Sequence, residues 1–109
     1  MRTKRVSRLL IQVISEVVFK EVKDPRVKNV TVSDVTMSRD LKNARVYVEV
    51  FGGDITEVLE GLNKAAGFIQ MRIAQTLKLK FTPKITFYKD TSFDNAQRIE
   101  KILKEEREK

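Results

Sequence analysis

The sequence predicts an α+β domain in which a three-stranded sheet carries helices on one of its faces. Two observations support this class. Apolar residues recur at helical spacing in three segments, and three short segments alternate apolar with polar residues. The chain has 109 residues, 41% of them hydrophobic and 34% charged, which is typical of a single globular domain over 1–109. We expect the highly charged end, residues 104–109, to fray.

The first element is a helix over residues 3–23. Its apolar residues fall at spacings of four, three and four, which place them on one helical face. The stripe consists of Val6, Leu10, Val13 and Val17. Asp24 precedes Pro25, and proline pushes the residue before it out of the helical region, so the helix ends there at the latest.

Two strands of a hairpin follow, over residues 29–38 and 43–51. The second strand alternates cleanly from Ala44 to Phe51, with valines on one side. The first strand changes phase between Val32 and Val35, which predicts a β-bulge near Ser33–Asp34.

A long helical segment begins after Gly52–Gly53, with Asp54 as its N-cap. Its apolar residues keep helical spacing from Ile55 to Leu77, but Ala65–Gly67 predicts a kink or a break midway. Thr82–Pro83 ends the segment. A third strand around Ile85 and Phe87 and a last helix over 93–103 complete the predicted order.

The composition argues against catalysis. The chain has no Cys and no His, which excludes disulfides, zinc ribbons, histidine-ligated metals and Ser-His-Asp triads. Neither a P-loop nor a Gly-x-Gly-x-x-Gly fingerprint occurs. We therefore expect no enzyme, no metal, no cofactor and no small-molecule substrate. A metal-dependent nuclease built on aspartates such as Asp90 stays open as an alternative.

The sequence also predicts a soluble cytoplasmic protein. Its apolar runs fall far short of the roughly 20 residues that span a bilayer. The basic N-terminus, Met1–Arg5, is not followed by a secretory apolar region.

Positive charge is concentrated in two segments of this chain, whose net charge is +7. Residues 1–28 hold eight basic and three acidic residues, and residues 61–89 hold six basic residues and no acid. Lysines and arginines that meet phosphates release condensed counterions, so this distribution favours a nucleic-acid partner.

The predicted kink lies inside the second basic segment. Backbone N–H groups at a helix break bind phosphate, and RNA-binding KH domains place a Gly-x-x-Gly loop between two helices at this point. Here Ala65 and Gly67 would set the kink instead. Tyr47 and Phe51 are candidates for base stacking. The candidate RNA-binding residues are Arg5, Arg8, Arg26, Lys28, Arg45, Lys64, Arg72, Lys78, Lys80 and Lys84.

Several segments together resemble the ribosome-binding factor A family over nearly the whole chain. They are, in order, Asp24-Pro25-Arg26, Val30-Thr31-Val32, Ser38-Arg39-Asp40-Leu41, Ala44-Arg45-Val46-Tyr47-Val48, Leu62–Ile69, Leu77–Pro83 and Phe87–Ser92. One departure is lysine at 78 and 80, where arginine is common in the family. Lysine keeps the charge but loses the bidentate phosphate contact.

The resemblance implies a type II KH-like fold with an Ala-x-Gly kink in place of the Gly-x-x-Gly loop. It further implies a bacterial, monomeric assembly factor that binds the free small (30S) ribosomal subunit. The implied role is late maturation of 16S rRNA, including its 5′ end, and growth at low temperature. Two alternatives remain besides the nuclease: a general single-stranded RNA- or DNA-binding KH-like protein, and a protein-interaction module.

Overall fold

One mixed three-stranded sheet with helices on one face forms the fold, in a computed structural model that describes residues 2–92. The elements are α1 (Arg2–Lys20), β1 (Val30–Met37), β2 (Asn43–Val50), α2 (Ile55–Lys64), α3 (Ala66–Leu77) and β3 (Lys84–Lys89). This order confirms the predicted α+β class. The predicted last helix over 93–103 and the charged end, 104–109, lie outside the described residues. Within 2–92, none of the helices combines the length and apolar composition needed to span a bilayer.

The sheet has the strand order β1-β2-β3, with β1 antiparallel to β2 and β2 parallel to β3. Parallel strands cannot be joined by a tight turn. The chain therefore crosses from the end of β2 to the start of β3 through α2 and α3, which pack on the sheet.

The predicted bulge is present in β1. Val32 pairs with Val48, but the next pair joins Asp34 to Tyr47, so Ser33 is the extra residue. Because one inserted residue reverses the alternation, even-numbered residues face the helices before the bulge and Val35 is buried after it.

The core lies between the helices and the inner face of the sheet. Its most completely buried side chains come from α1, α2, α3, β2 and β3, and include Leu10, Ile14, Val46, Val48, Leu62, Ile69, Ile73 and Phe87. Residues of β2 and β3 that alternate with these, such as Arg45 and Tyr88, are exposed. Within residues 2–92 the helices therefore cover only one face, as predicted.

Helix α1 ends at Lys20, three residues before the predicted end. The amides of Glu21 and Val22 both donate to the Val17 carbonyl, which closes the last turn. Val22 continues the apolar spacing but packs against the core from outside the helix. Pro25 sets only the latest possible end of the helix, and the observed end lies earlier.

The predicted break in the long helix falls at Ala65, which links α2 to α3 as a turn residue. The two glycines of this region have different surroundings. A Cβ atom built on Gly61 would lie 2.8 Å from Val27 Cγ2 and 3.2 Å from Asp24 Oδ2. A Cβ atom on Gly67 would meet nothing within 4 Å. Gly61 thus permits close packing of the segment after α1, whereas Gly67 leaves α3 open to solvent.

We expect Gly61→Ala and Gly67→Ala to change stability in opposite directions. At Gly61 the new methyl group overpacks against Val27, which costs about 1–3 kcal/mol and exceeds the gain in helix propensity of about 1 kcal/mol. At Gly67 only the propensity gain applies. Urea denaturation measures both changes. Equal stabilisation by the two substitutions would contradict the close approach at Gly61.

Candidate nucleic-acid interface

Helix α3 presents an exposed face that contains no acidic residue. Gly67, Met71, Ala74 and Lys78 follow one another at helical spacing, and Phe68 lies beside them. Phe68 is 40% exposed and Met71 is 48% exposed, so this surface is partly apolar. We call these five residues, together with Lys64, the α3 face.

Lysines stand at both ends of the α3 face. Lys64 is the last residue of α2, and Lys78 caps α3 in a left-handed conformation with φ of 49°. The 12 residues of α3 separate them by about 20 Å. Both lysines are exposed, and neither forms an ion pair with any other residue within 2–92. Lys80 follows closely, with its Nζ 5.8 Å from the centre of the Phe81 ring.

The break itself suits an anion. Ala65 gives the N-terminus of α3 no side-chain hydrogen bond, and the first turn of α3 contains no acid. A helix N-terminus carries partial positive charge, which Lys64 reinforces. A shallow cavity of about 260 Å³ lies beside the break. Its lining includes Lys23 and Lys64 and also Glu21 and Asp24, whose carboxylates pair with arginines.

Arg26 is directed toward carboxylates of its own chain. Its Nη2 lies 2.7 Å from Asp24 Oδ2, and its Nη1 lies 3.4 Å from Glu60 Oε2. The Asp24 carboxylate also accepts from the Arg26 backbone amide at 3.0 Å. These contacts fasten the segment after α1 to α2, next to the tight packing at Gly61.

The Arg26 side chain, followed by the Arg26 amide, lowers the pKa of Asp24 from 3.8 to about 2. A carboxyl group with a lowered pKa in the folded state stabilises the fold above its unfolded pKa. That contribution disappears as the pH falls through the folded value.

We expect Asp24→Asn to destabilise the protein near neutral pH and to have a shrinking effect between pH 3.8 and about 2. Thermal unfolding across this pH range measures the difference in Tm between the variant and the wild type. Arg26→Gln breaks the same ion pair from its other side. Its stability should likewise approach that of the wild type as the pH falls. A constant difference at all pH values would refute the assignment.

Arg72 has a partner as well. Its Nε lies 3.1 Å from Glu21 Oε2, and its Nη1 donates to Gln75 Oε1 at 2.9 Å. This ion pair joins the residue after α1 to the middle of α3. Arg26 and Arg72 are therefore neutralised by carboxylates, unlike the lysines of the α3 face.

The other predicted residues lie on different surfaces. Arg5 and Arg8 are exposed on α1 and line a shallow cavity with Lys4. Lys28 is exposed between α1 and β1. The structure thus divides the ten candidates among several surfaces rather than gathering them in one cleft.

A second cluster of basic residues lies at the end of the sheet where β2 and β3 begin. The Lys84 amide donates to the Lys42 carbonyl at 2.8 Å, which holds the start of β3 beside the β1–β2 turn. Arg45 lies two residues into β2. Arg39 and Lys42 belong to the turn and are exposed, so they add to this group.

The β1–β2 turn is fixed by its own polar side chains. The Ser38 hydroxyl donates to Asp40 Oδ1 at 2.7 Å, and the Lys42 amide donates to the same oxygen at 3.0 Å. The Ser38 hydroxyl, followed by the Lys42 amide, holds the pKa of Asp40 below its usual value. The turn therefore presents Arg39 and Lys42 from a defined backbone.

The sequence patterns do not single out Lys23, Arg39, Lys42 or Tyr88. Lys23 falls inside the predicted first helix, and residues 39–43 are predicted only as a connection between strands. Arg39 and Lys42 could have been found from the sequence, because they are basic residues that flank the ends of predicted strands. Within residues 2–92 no group of three or more acidic side chains is arranged to hold a metal ion.

Comparisons with known proteins show the family of this chain. A model of the family described as ribosome-binding factor A matches residues 2–103. The ribosome-binding factor A of Halothermothrix orenii is 40% identical over 98% of this chain and 89% of its own length. A Thermotoga maritima protein, whose solution structure was determined as that of a candidate ribosome-binding factor A, is 35% identical. It superposes with a TM-score of 0.74 over 84% of this chain and 89% of its own.

A Thermus thermophilus relative is also similar in structure. It is a homology model of ribosome-binding factor A fitted into the electron-microscopy map of a complex with the 30S subunit. It is 25% identical, with a TM-score of 0.67 over 78% of this chain and 91% of its own.

Proposed function

The chain belongs to the ribosome-binding factor A family, and on this premise we propose that it binds the free small (30S) ribosomal subunit in the cytoplasm. There it assists late maturation of 16S rRNA, without catalysis. The relative fitted into a 30S complex supports the choice of partner.

The α3 face is the observation that carries this proposal. It combines a stretch without acids, exposed apolar side chains and lysines at both ends. Lysines contact phosphates, and the open position at Gly67 allows an RNA backbone to approach closely. An enzyme would instead need converging acid–base groups, which this surface lacks.

The mechanism is differential binding. A protein that contacts one rRNA conformation more favourably than another shifts the population toward it, with no covalent step. The contacts with Lys64, Lys78 and Lys80 hold the α3 face against the phosphates. Lys84 and Arg45 add further phosphate contacts at the end of the sheet where β2 and β3 begin.

The remaining candidates make smaller contributions. Arg5, Arg8 and Lys28 add peripheral phosphate contacts. Arg26 and Arg72 stay in the proposed set, but phosphate must compete there with Asp24 and Glu21. Their net gain on RNA binding is therefore smaller than that of an unpaired lysine.

Co-sedimentation tests the proposed function. The protein is mixed with purified small subunits, with assembled ribosomes and with an unrelated RNA, each across a series of salt concentrations. We expect binding that is selective for free small subunits and that weakens steeply with salt.

Equal binding to all three would instead indicate a general single-stranded RNA-binding protein. Binding that does not change with salt would indicate a protein-interaction module. Cleavage of the RNA that requires a divalent ion and is lost in Asp90→Asn would indicate a nuclease.

A further inference from the structure

The face of the sheet opposite the helices carries a pair of aromatic rings. Tyr47 on β2 and Tyr88 on β3 are direct neighbours in the parallel register. Their ring centroids lie 6.1 Å apart, with an angle of 35° between the planes. Tyr88 is 43% exposed. Exposed aromatic rings on adjacent strands form a platform on which unpaired bases stack.

Arg45 lies beside this pair, two residues before Tyr47 and on the same face of β2. Its register partners are Thr36 on β1 and Thr86 on β3. The four side chains of Thr36, Arg45, Thr86 and Tyr88 line one cavity of about 400 Å³. Within residues 2–92 Arg45 forms no ion pair, so its guanidinium is available to an anion.

Charge changes sign along this face. The end where β2 and β3 begin carries Arg45 and Lys84, whereas the opposite end carries Glu49 and Asp90, and Asp34 lies between the two ends as the register partner of Tyr47. One acidic side chain at that end, Asp90, already accepts hydrogen bonds from the Ser33 hydroxyl and from the Ser92 amide. A phosphate is therefore attracted to the Arg45 end and repelled from the other.

We propose that this outer sheet face binds a short stretch of single-stranded nucleic acid, with a phosphate at Arg45 and an unpaired base stacked on Tyr88. Threonine hydroxyls at 36 and 86 flank the phosphate. The occupant is single-stranded because a base inside a duplex cannot expose its ring to a protein. This face lies opposite the α3 face, so the inference adds a second contact surface to the proposed function.

The chain carries its own reporter for this face. It contains two tyrosines and no tryptophan, so its intrinsic fluorescence comes from Tyr47 and Tyr88 alone. We would titrate the full chain with hexauridylate and follow tyrosine fluorescence, corrected for absorbance by the RNA. Saturable quenching is expected, because stacking of a base on the ring changes its emission.

Variants locate the contact. Arg45→Gln should weaken the affinity about tenfold and lower the salt slope by about one. Tyr88→Ala should weaken it about tenfold, read through Tyr47, whereas Tyr88→Phe keeps the stacking surface. Two matched controls, Lys20→Gln and Phe19→Ala, remove an exposed cation and an exposed ring from α1 and should bind as the wild type does.

Three results would overturn the proposal. The first is the absence of quenching by hexauridylate. The second is unchanged affinity in both Arg45→Gln and Tyr88→Ala. The third is a fluorescence change that depends on protein concentration alone, which would assign the face to a second copy of the chain.

The test is independent of the proposed function. Lys78→Glu lies on the α3 face and should weaken subunit binding while leaving the quenching by hexauridylate nearly intact. If quenching is lost while selective subunit binding persists, only the present inference fails. If quenching persists without subunit binding, only the proposed function fails.

Discussion

Replacing Lys78 and Lys80 together by glutamate is expected to weaken binding to small ribosomal subunits on the order of 100-fold at low salt. The change removes two phosphate contacts and adds two repulsive charges at one end of the α3 face. It should also reduce the slope of log affinity against log salt by about two. Co-sedimentation across a salt series measures both effects.

Two matched variants distinguish the effect of a residue's position from the effect of the protein's net charge. Lys78→Glu and Lys20→Glu change the charge equally, but Lys20 is exposed on α1 and pairs with Glu16 at 3.1 Å. We expect a clear loss of affinity for Lys78→Glu alone and little for Lys20→Glu. Equal losses would mean that overall charge, rather than the α3 face, drives binding.

Phe87→Ala is expected to lower the free energy of unfolding by about 3–5 kcal/mol, since it removes a large buried ring. Phe87 is 2% exposed and lies on β3, where Asn63 of α2 accepts from its amide at 2.9 Å. In a domain of this size the loss corresponds to a fall in Tm of roughly 15–30 °C.

Phe81 offers the control for this substitution. It is the same residue type but 74% exposed, in the segment between α3 and β3. Phe81→Ala should change stability by less than about 0.5 kcal/mol. Calorimetry of the two variants compares them directly, and similar losses would contradict the position of the core.

Local patterns predicted the strands and the helix break well. The alternation in β2 needs only the two-residue period of a half-buried strand, and the phase change in β1 has a single local cause, the bulge at Ser33. The break at Ala65 is predicted from the weak helix propensity of Gly67, although the apolar residues keep helical spacing across it. Each of these features depends on residues close together in the chain.

Features that depend on distant residues were not predictable in this way. Helix α1 ends at Lys20, and Val22 packs against the core from outside the helix, which its spacing alone does not show. Gly61 appeared to be an unfavourable helix residue. Its role became clear only from its approach to Val27, 34 positions earlier in the chain.

The same limit applies to the candidate site. Counting basic residues in segments selected Arg26 and Arg72 together with the lysines. The structure shows that both arginines pair with carboxylates, and the partner Glu21 lies 51 positions from Arg72. The neighbourhood of Tyr47 and Tyr88 likewise depends on the parallel pairing of β2 with β3, which alternation does not specify.

A photo-crosslink from position 67 tests the central claim most directly. The chain has no cysteine, so Gly67→Cys introduces a single thiol for a photoreactive probe on the α3 face. A Cβ atom there meets nothing within 4 Å, so the substitution should not disturb the fold. Glu57→Cys places the same probe on the exposed, acidic start of α2 as a control.

We expect the probe at 67 to crosslink 16S rRNA in free small subunits, with a much lower yield from position 57. Excess unlabelled protein should abolish the crosslink. Equal yields from both positions, or a crosslink from 67 to ribosomal protein without rRNA, would contradict the account.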